Sequence, residues 1–566
     1  MASSTLSRGQ LAPAAALILL VGSIGLGLAF VLALGFGYLP ALGGDTFSAA
    51  GFRQLFGDPR LLPCLFSTMI AGIGATIAAV LVATALVAEF DPMGTASRTW
   101  PHRLAIAVLA VPHVSLALGL AFVLAPSGWI LRALQALTHA WPLPPDWQLV
   151  PGESGLALAL ALFLKETPFL FVAMVMALHQ IKPAPLLLTA RTLGYRDEIA
   201  WVKLVLPLLY PLIRFPILAV LAYGLSVVDM SLILGPTAPP TLPVLILRWA
   251  NDPDLTQRFL AASAALLQVS LVAGAILLWW LGERAATLLL RGWLTAGRRQ
   301  GPRAVMLLGR ALLQTICLAA VAMIVAALFG LAMWSIAEAW RYPALLPSGA
   351  SLDAWGRAFA GIGAPLINSL GIASAATGLA IVLALACLEH EKHLREELVV
   401  RAEKWLFLPL LVPEVSFLLG LQVLLLLIGL NGTWLAVLWL HLLFVFPYVF
   451  LTLKEPWRAF DPRFERIGLA LGQSPFQILW RIKLPLLRGA IGWAAAIGGS
   501  VSLSLYLPTV QGGEGRVVTL ASEAVALSAG GDRRIVGVYG ILQATVAGLF
   551  FVLALLAARR PRWSRR

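Results

Sequence analysis

Twelve stretches of predominantly apolar residues, separated by short polar connections, leave this chain few folds to choose from. A bilayer interior supplies no hydrogen-bond partners, so a crossing segment must satisfy its own backbone, which a helix of about 20 residues does. The stretches are Leu11–Leu39, Phe66–Val87, Leu104–Leu124, Leu156–Leu178, Leu204–Leu234, Phe259–Leu281, Ala304–Trp334, Ile367–Leu388, Trp405–Ile428, Trp434–Leu453, Leu484–Leu507 and Ile535–Ala557. With 60% hydrophobic and 12% charged residues, the chain cannot cover a soluble globule with polar surface. The expected class is an all-α polytopic membrane protein with about 12 transmembrane helices.

A net charge of +14 raises the question of nucleic acid, and the distribution of the charge answers it. With the N-terminus set in the cytoplasm, 28 of the 41 Lys and Arg fall on that side and 10 on the other, while Lys165, Arg214 and Arg488 lie within spans. This is the positive-inside bias of membrane proteins. It accounts for the basic balance without a nucleic-acid partner and predicts both termini in the cytoplasm. The first stretch is long for a signal-peptide core and lacks an evident cleavage site, so it is expected to remain as a helix. Cys64, Cys317 and Cys387 lie in or beside apolar stretches without metal-ligand spacing and read as membrane-core residues.

The chain also repeats itself. Val111-Pro-His-Val-Ser-Leu-Ala-Leu-Gly-Leu aligns with Val412-Pro-Glu-Val-Ser-Phe-Leu-Leu-Gly-Leu at an offset of 301, which also pairs Ala75-Thr76 with Ala376-Thr377. Further on, Pro168-Phe-Leu-Phe aligns with Pro447-Tyr-Val-Phe at 279, and Gly194 with Gly472 at 278. The offset drops across a longer connection in the first copy, around Pro126–Glu153. Six spans per copy is an even number, so both copies have one orientation and a pseudo-twofold axis along the membrane normal is expected. The expected units are 1–290 and 291–566, joined by an Arg-rich stretch, Glu283–Arg310, that reads as a linker obeying the charge rule.

Between the fourth and fifth span of each unit lies a polar segment with a Gly and a later Leu-Pro. The first, about 182–207, has Ala190, Gly194, Leu204, Leu206 and Pro207; the second, about 458–485, has Gly472, Ile482, Leu484 and Pro485. Both keep thirteen residues from Gly to Pro. The pattern reads as two short helices with a turn at Gly, small residues before the Gly admitting a close neighbour, and Pro in the first turn of the next membrane helix.

These segments resemble the cytoplasmic loop of permease subunits in binding-protein-dependent ABC importers: Glu-Ala-Ala, three residues, Gly, nine residues, Ile, one residue, Leu-Pro. The start of the motif departs from this pattern, with Leu188 and Arg466 in the Glu place, Glu465 one residue early, and Thr189, Ile467 and Gly468 replacing alanines. The resemblance covers essentially the whole chain, most specifically the fused double permeases that include ferric-iron and thiamine importers. It implies an inner-membrane permease whose loops dock two separate ATPase subunits through Ala190, Gly194, Leu206, Pro207, Gly472, Ile482, Leu484 and Pro485. It also implies a periplasmic binding protein that delivers the solute, a small cation, ferric iron or thiamine being among the substrates.

No Gly-Lys dipeptide occurs, so the chain has no phosphate-binding loop and is not itself the ATPase. His390-Glu-Lys-His393 lacks the helical spacing of a zinc site, and no catalytic constellation or cofactor motif stands out. Ionisable groups at membrane depth are costly and mark cavities or partners. His113 and Glu414 share one repeat position, after Val-Pro, and either face a central pathway or satisfy backbone loosened by the prolines. Asp229, with Tyr506 as the nearest polar ring in the other copy, either attracts a cationic solute or hydrogen-bonds a neighbouring helix. Lys165 and Glu166 are adjacent, point about 100° apart on a helix, and are not expected to pair. The rival reading is an ion- or proton-coupled secondary transporter, which would use the buried ionisable groups and need no loops to dock an ATPase.

Overall fold

A computed structural model of the chain describes residues 11–40, 43–93, 100–146, 150, 152, 154–391 and 402–558. The basic residues at both chain ends, His393 and Glu153 lie outside these. Among the described residues, eleven helical runs are long and apolar enough to cross a membrane. They are α1 (Pro13–Gly35), α2 (Leu61–Phe90), α3 (His113–Thr138), α4 (Leu156–Ile181), α5 (Asp197–Ser226), α6 (Gln257–Thr295), α7 (Arg303–Ile336), α8 (Gly363–His390), α10 (Trp434–Arg458), α11 (Pro475–Ser504) and α12 (Arg533–Leu553); a shorter apolar helix, α9 (Glu414–Leu427), lies between α8 and α10. The protein is an all-α polytopic membrane protein.

Four expected spans are not continuous helices, and two of the breaks fall directly at a proline. The stretch Leu104–Leu124 is two helices, Trp100–Ala110 and His113–Leu124, parted at Val111-Pro112 with Pro112 as an extended N-cap (ψ 149°). In Trp405–Ile428 the extended residue is Pro413 (ψ 124°), before α9. Proline lacks the N–H that the helix ladder needs, which makes it a natural stop. The fifth stretch stops at Ser226, turns through extended Val227, and resumes as Asp229–Leu234. The eleventh stops at Ser504, turns through Leu505, and resumes as Leu507–Gly513.

Breaking a helix inside the membrane orphans carbonyls, and an unpaired carbonyl there is costly. Glutamines from neighbouring helices answer it at both places: Gln268 Nε2 donates to Leu225 O at 2.7 Å and Gln543 Nε2 to Leu503 O at 3.0 Å. Thr68 Oγ1 accepts the N–H of Leu242 at 2.9 Å, and Ser369 Oγ accepts that of Leu520 at 2.9 Å, capping two short helices, Leu242–Ala250 and Leu520–Ser528. Lipid tails are as apolar as leucine, so close packing and such polar links, rather than water exclusion, hold membrane helices together.

Small residues set the closest approaches. A Cβ on Gly420 of α9 would strike the backbone of Gly27 in α1, one on Gly119 of α3 the backbone of Ala327 in α7, and one on Gly72 of α2 the backbone of Gly224 in α5. The glycine runs Gly22–Gly27 and Gly72–Gly74 are therefore packing sites at Gly27 and Gly72, whereas Gly25 and Gly74 have open space.

Candidate functional site: paired loops and a polar cluster at membrane depth

The first loop begins with the short helix Ala184–Thr192. It ends as a Schellman motif: Gly194 N–H donates to Arg191 O at 2.9 Å and Tyr195 N–H to Ala190 O at 3.0 Å, with Gly194 at φ +81°. The second loop repeats this after Pro462–Ala470, where Gly472 N–H reaches Leu469 O at 2.9 Å and Gln473 N–H reaches Gly468 O at 3.0 Å, with Gly472 at φ +75°. A side chain is strained in this left-handed region, which is why glycine stands at both turns.

What approaches the small residue before the turn is, in the second loop, the loop's own other helix. A Cβ on Gly468 would sit 2.8 Å from Ile478 Cγ1 and 3.2 Å from Ile482 Cδ1, so Ile482 packs within the loop. Ala190 is likewise buried, at 2% exposure. The expectation that Leu206-Pro207 and Leu484-Pro485 start new helices is corrected by the structure. Each proline follows a π-helical turn, Trp201–Val205 or Leu479–Lys483, in which the N–H of Leu206 reaches Trp201 O and that of Leu484 reaches Leu479 O. The wider turn carries the helix past the missing proline N–H instead of ending it. Each loop's second helix is thus one piece with a membrane span, giving runs of 30 residues, Asp197–Ser226 and Pro475–Ser504.

The charges around the two loops differ. Arg191 binds Asp197 through both oxygens at 2.7 Å, and that carboxylate holds the exposed guanidinium above its ordinary value. In the second loop Lys483, 1% exposed, pairs with Glu389 and, at 3.3 Å, with Glu465, and lies 3.9 Å from the Trp457 ring centre. Glu465 stands one residue before the motif's Glu place.

At the far ends of the two rods, the polar residues singled out by sequence come together. His113 Nε2 lies 3.8 Å from Glu166 Oε1, and its ring lies 5.3 Å from that of Tyr223. Asp229 interacts electrostatically with His113, Glu414 and Tyr506. Asp229 bonds the N–H of its own neighbour Met230 at 2.8 Å, not another helix. The carbonyls freed at Val111-Pro112 are taken by Lys165, which donates to Val108 O at 3.2 Å, Leu109 O at 3.1 Å and Val111 O. Lys165 and Glu166 do not pair with each other, as their helical phase requires. Sequence reasoning passed over Gln268 and Gln543, although each follows Leu within an apolar run at the far end of its copy, and it passed over Tyr223 and Tyr448, which line the same region.

Comparison with known proteins decides what this framework belongs to. The inner membrane ABC transporter permease protein YnjC of Escherichia coli (strain K12) is 31% identical over 527 residues, covering 90% of this chain and 91% of its own length. The chain belongs to the permeases of ABC transporters. A shorter likeness, 35% identity over 91 residues, joins 16% of this permease to 34% of the spermidine/putrescine transport system permease protein PotC of the same organism. No family model matches the chain. The permease is a multi-pass inner-membrane protein and a transport component rather than an enzyme.

Proposed function

We propose that this permease is the complete translocation unit of an importer. Its two repeats, 1–290 and 291–566, form the pathway at a pseudo-twofold interface, with both termini in the cytoplasm. Two separate ATPase subunits dock at the loops around Gly194 and Gly472, and a periplasmic binding protein supplies the solute. The observation that carries this reading is the recurrence of one device. A Schellman turn at Gly leads into a rod of 30 residues that passes its proline on a π turn and stops at a break beside Asp229 or Tyr506. At about 1.5 Å per residue, such a rod spans roughly 45 Å. A displacement imposed on the loop is therefore delivered to the helix break and the polar residues beside it. ATP-driven closure of the motors turns the pathway outward to receive solute, and reopening releases it inward.

Replacing Gly194 or Gly472 with Glu forces a charged side chain into the left-handed turn at the docking surface. The expected result is loss of both ATPase association and uptake while membrane insertion persists. Normal uptake in both variants, or solute accumulation by the purified chain in vesicles from an imposed ion gradient without nucleotide, overturns the reading.

A further inference from the structure

The eleventh span is interrupted between Ser504 and Leu507, and one side chain from another helix holds both sides of the gap. His441 of α10, 2% exposed, places Nδ1 2.8 Å from Ser502 Oγ, on the rod before the break. Its Nε2 lies 2.9 Å from Thr509 Oγ1, in the short helix after the break. Ser502 and Thr509 are buried as well. Thr509 gives its one hydroxyl proton to Leu505 O at 3.0 Å, so toward the ring it can only accept. Nε2 therefore carries a hydrogen and donates to Thr509, while Nδ1 meets the Ser502 hydroxyl. Polar groups inside a bilayer have no water to turn to, so either bond is costly to leave unmade. Bending the span at its gap moves Ser502 against Thr509 and must break one of them. The short helix is also tied onward, at its end remote from the rod. Gly432 N–H donates to Gly512 O at 2.9 Å and Asn431 Nδ2 to Glu514 Oε2 at 2.9 Å, both from the connection between α9 and α10.

The first copy breaks at the matching place and is held differently. The offset of 278 that relates the loops pairs Gly224 with Ser502, Val227 with Leu505 and Ser231 with Thr509, and the offset of 279 pairs Leu162 with His441. Ser231 Oγ donates to Val227 O at 2.8 Å, just as Thr509 does to Leu505 O. There the likeness stops. Leu162 has no group to donate or accept, and Gly224 has no side chain and packs on the backbone of Gly72. Gln268 bonds the rod side alone, at Leu225 O. Among the described residues, no side chain from another helix bonds both sides of this break.

We propose, building on the importer reading above, that His441 is a positioning residue that makes the second break a stiff elbow. Movement of the second loop is carried past the break to the remote face of its copy, whereas the first rod ends at a hinge.

The test is made on the full-length permease in lipid nanodiscs, with Cys64, Cys317 and Cys387 replaced by Ala and without ATPase subunits. Spin labels are attached in pairs across each break, all at exposed positions: Leu486→Cys with Arg516→Cys in the second copy, and the matching Leu208→Cys with Ala238→Cys in the first. The spread of each inter-label distance is read by double electron–electron resonance. The second pair is expected to give one narrow distance and the first a broader distribution. His441→Leu installs the first copy's residue, and loss of the narrow distance is expected while the first pair stays as it was. Ser502→Ala, a milder change that opens the clasp on one side and carries the test alone should His441→Leu not fold, is expected to have the same effect. The two substitutions together are expected to do no more than either alone, because a clasp needs both ends.

Equal spreads in the two copies before substitution, or a narrow distance that survives either substitution, overturns the proposal. So does additive broadening in the double variant, or broadening of the first pair along with the second, which would mean a general loosening. Because no ATPase is present, failure of the docking reading leaves this result untouched, and failure here leaves docking intact.

Discussion

The two loops share a backbone and differ in what surrounds it. The first is roofed by the connector between α6 and α7. Arg196 N–H donates to Arg299 O at 3.1 Å, Lys203 Nζ donates to Ala296 O at 2.5 Å and lies 4.9 Å from the Trp293 ring centre, and Arg310 clasps Glu198 at 3.2 Å and Glu89 at 3.0 Å. Among the described residues the second loop has no such roof, and none of them lies within 4 Å of where a Cβ on Gly472 would stand. It is braced from inside instead. Where the first loop buries Val205, the second buries Lys483 against two acids and a tryptophan. One fold is thus stiffened by two chemistries, a latch from outside and a charge from within, and two docking motors would meet unequal surfaces.

This comparison can be broken at four points. The largest effect is expected from Lys483→Val, which gives the second loop the first loop's residue but takes the ammonium away from Glu389 and Glu465. Loss of one partner from a buried pair costs about 3–5 kcal/mol, and the partial exposure of both acids lowers the expectation to about 1–3 kcal/mol. It is read as a fall in thermal unfolding temperature, and an unchanged melt would remove the charge from the account. Next, Gly194→Ala and Gly472→Ala are each expected to cost about 1–2 kcal/mol from the left-handed conformation alone. Clearly unequal costs in unfolding experiments would mean the turns are not equivalent.

A smaller and one-sided effect is expected from replacing residues 297–301 with a Gly-Ser sequence. Maleimide labelling of Leu193→Cys should accelerate toward the rate of Leu471→Cys, whose native side chains are 56% and 74% exposed, while the second site stays unchanged. Acceleration at both sites would sink the latch. The smallest effect belongs to Arg191→Ala, which breaks an exposed pair with side chains 45% and 51% accessible, and no resolvable change in melting temperature is expected.

Much of this architecture was legible in the sequence because membranes impose a coarse grammar. Apolar length gave the spans, and the Gly-to-Pro interval marked both loops. The four internal breaks were less legible. Val111-Pro112 and Val412-Pro413 carry a visible cause, and Pro508 stands just past the break at Leu505-Tyr506, but Val227-Val228 is an apolar, β-branched pair with nothing local to announce an interruption. These last two breaks persist because Gln268 and Gln543 answer the freed carbonyls from far along the chain, a tertiary fact that no window of sequence contains. Leu-Pro was misleading for the opposite reason, since proline commonly starts a helix and the π turn that lets one pass through depends on the whole run. The meeting of His113 with Glu166 and Tyr223 was half visible: the two ionisable residues stood out in apolar runs, but their approach required the fold.

Continuity through the π turns has a consequence for phase as well as reach. In a helix of 3.6 residues per turn, adding or removing one residue rotates everything beyond it by about 100°. The span from Leu206 to Ser226 therefore acts as a dial as well as a strut. Its residue count sets the bearing at which the chain enters the turn at Val227 ahead of Asp229, and an insertion there would change that bearing while leaving the turn at Gly194 as it is.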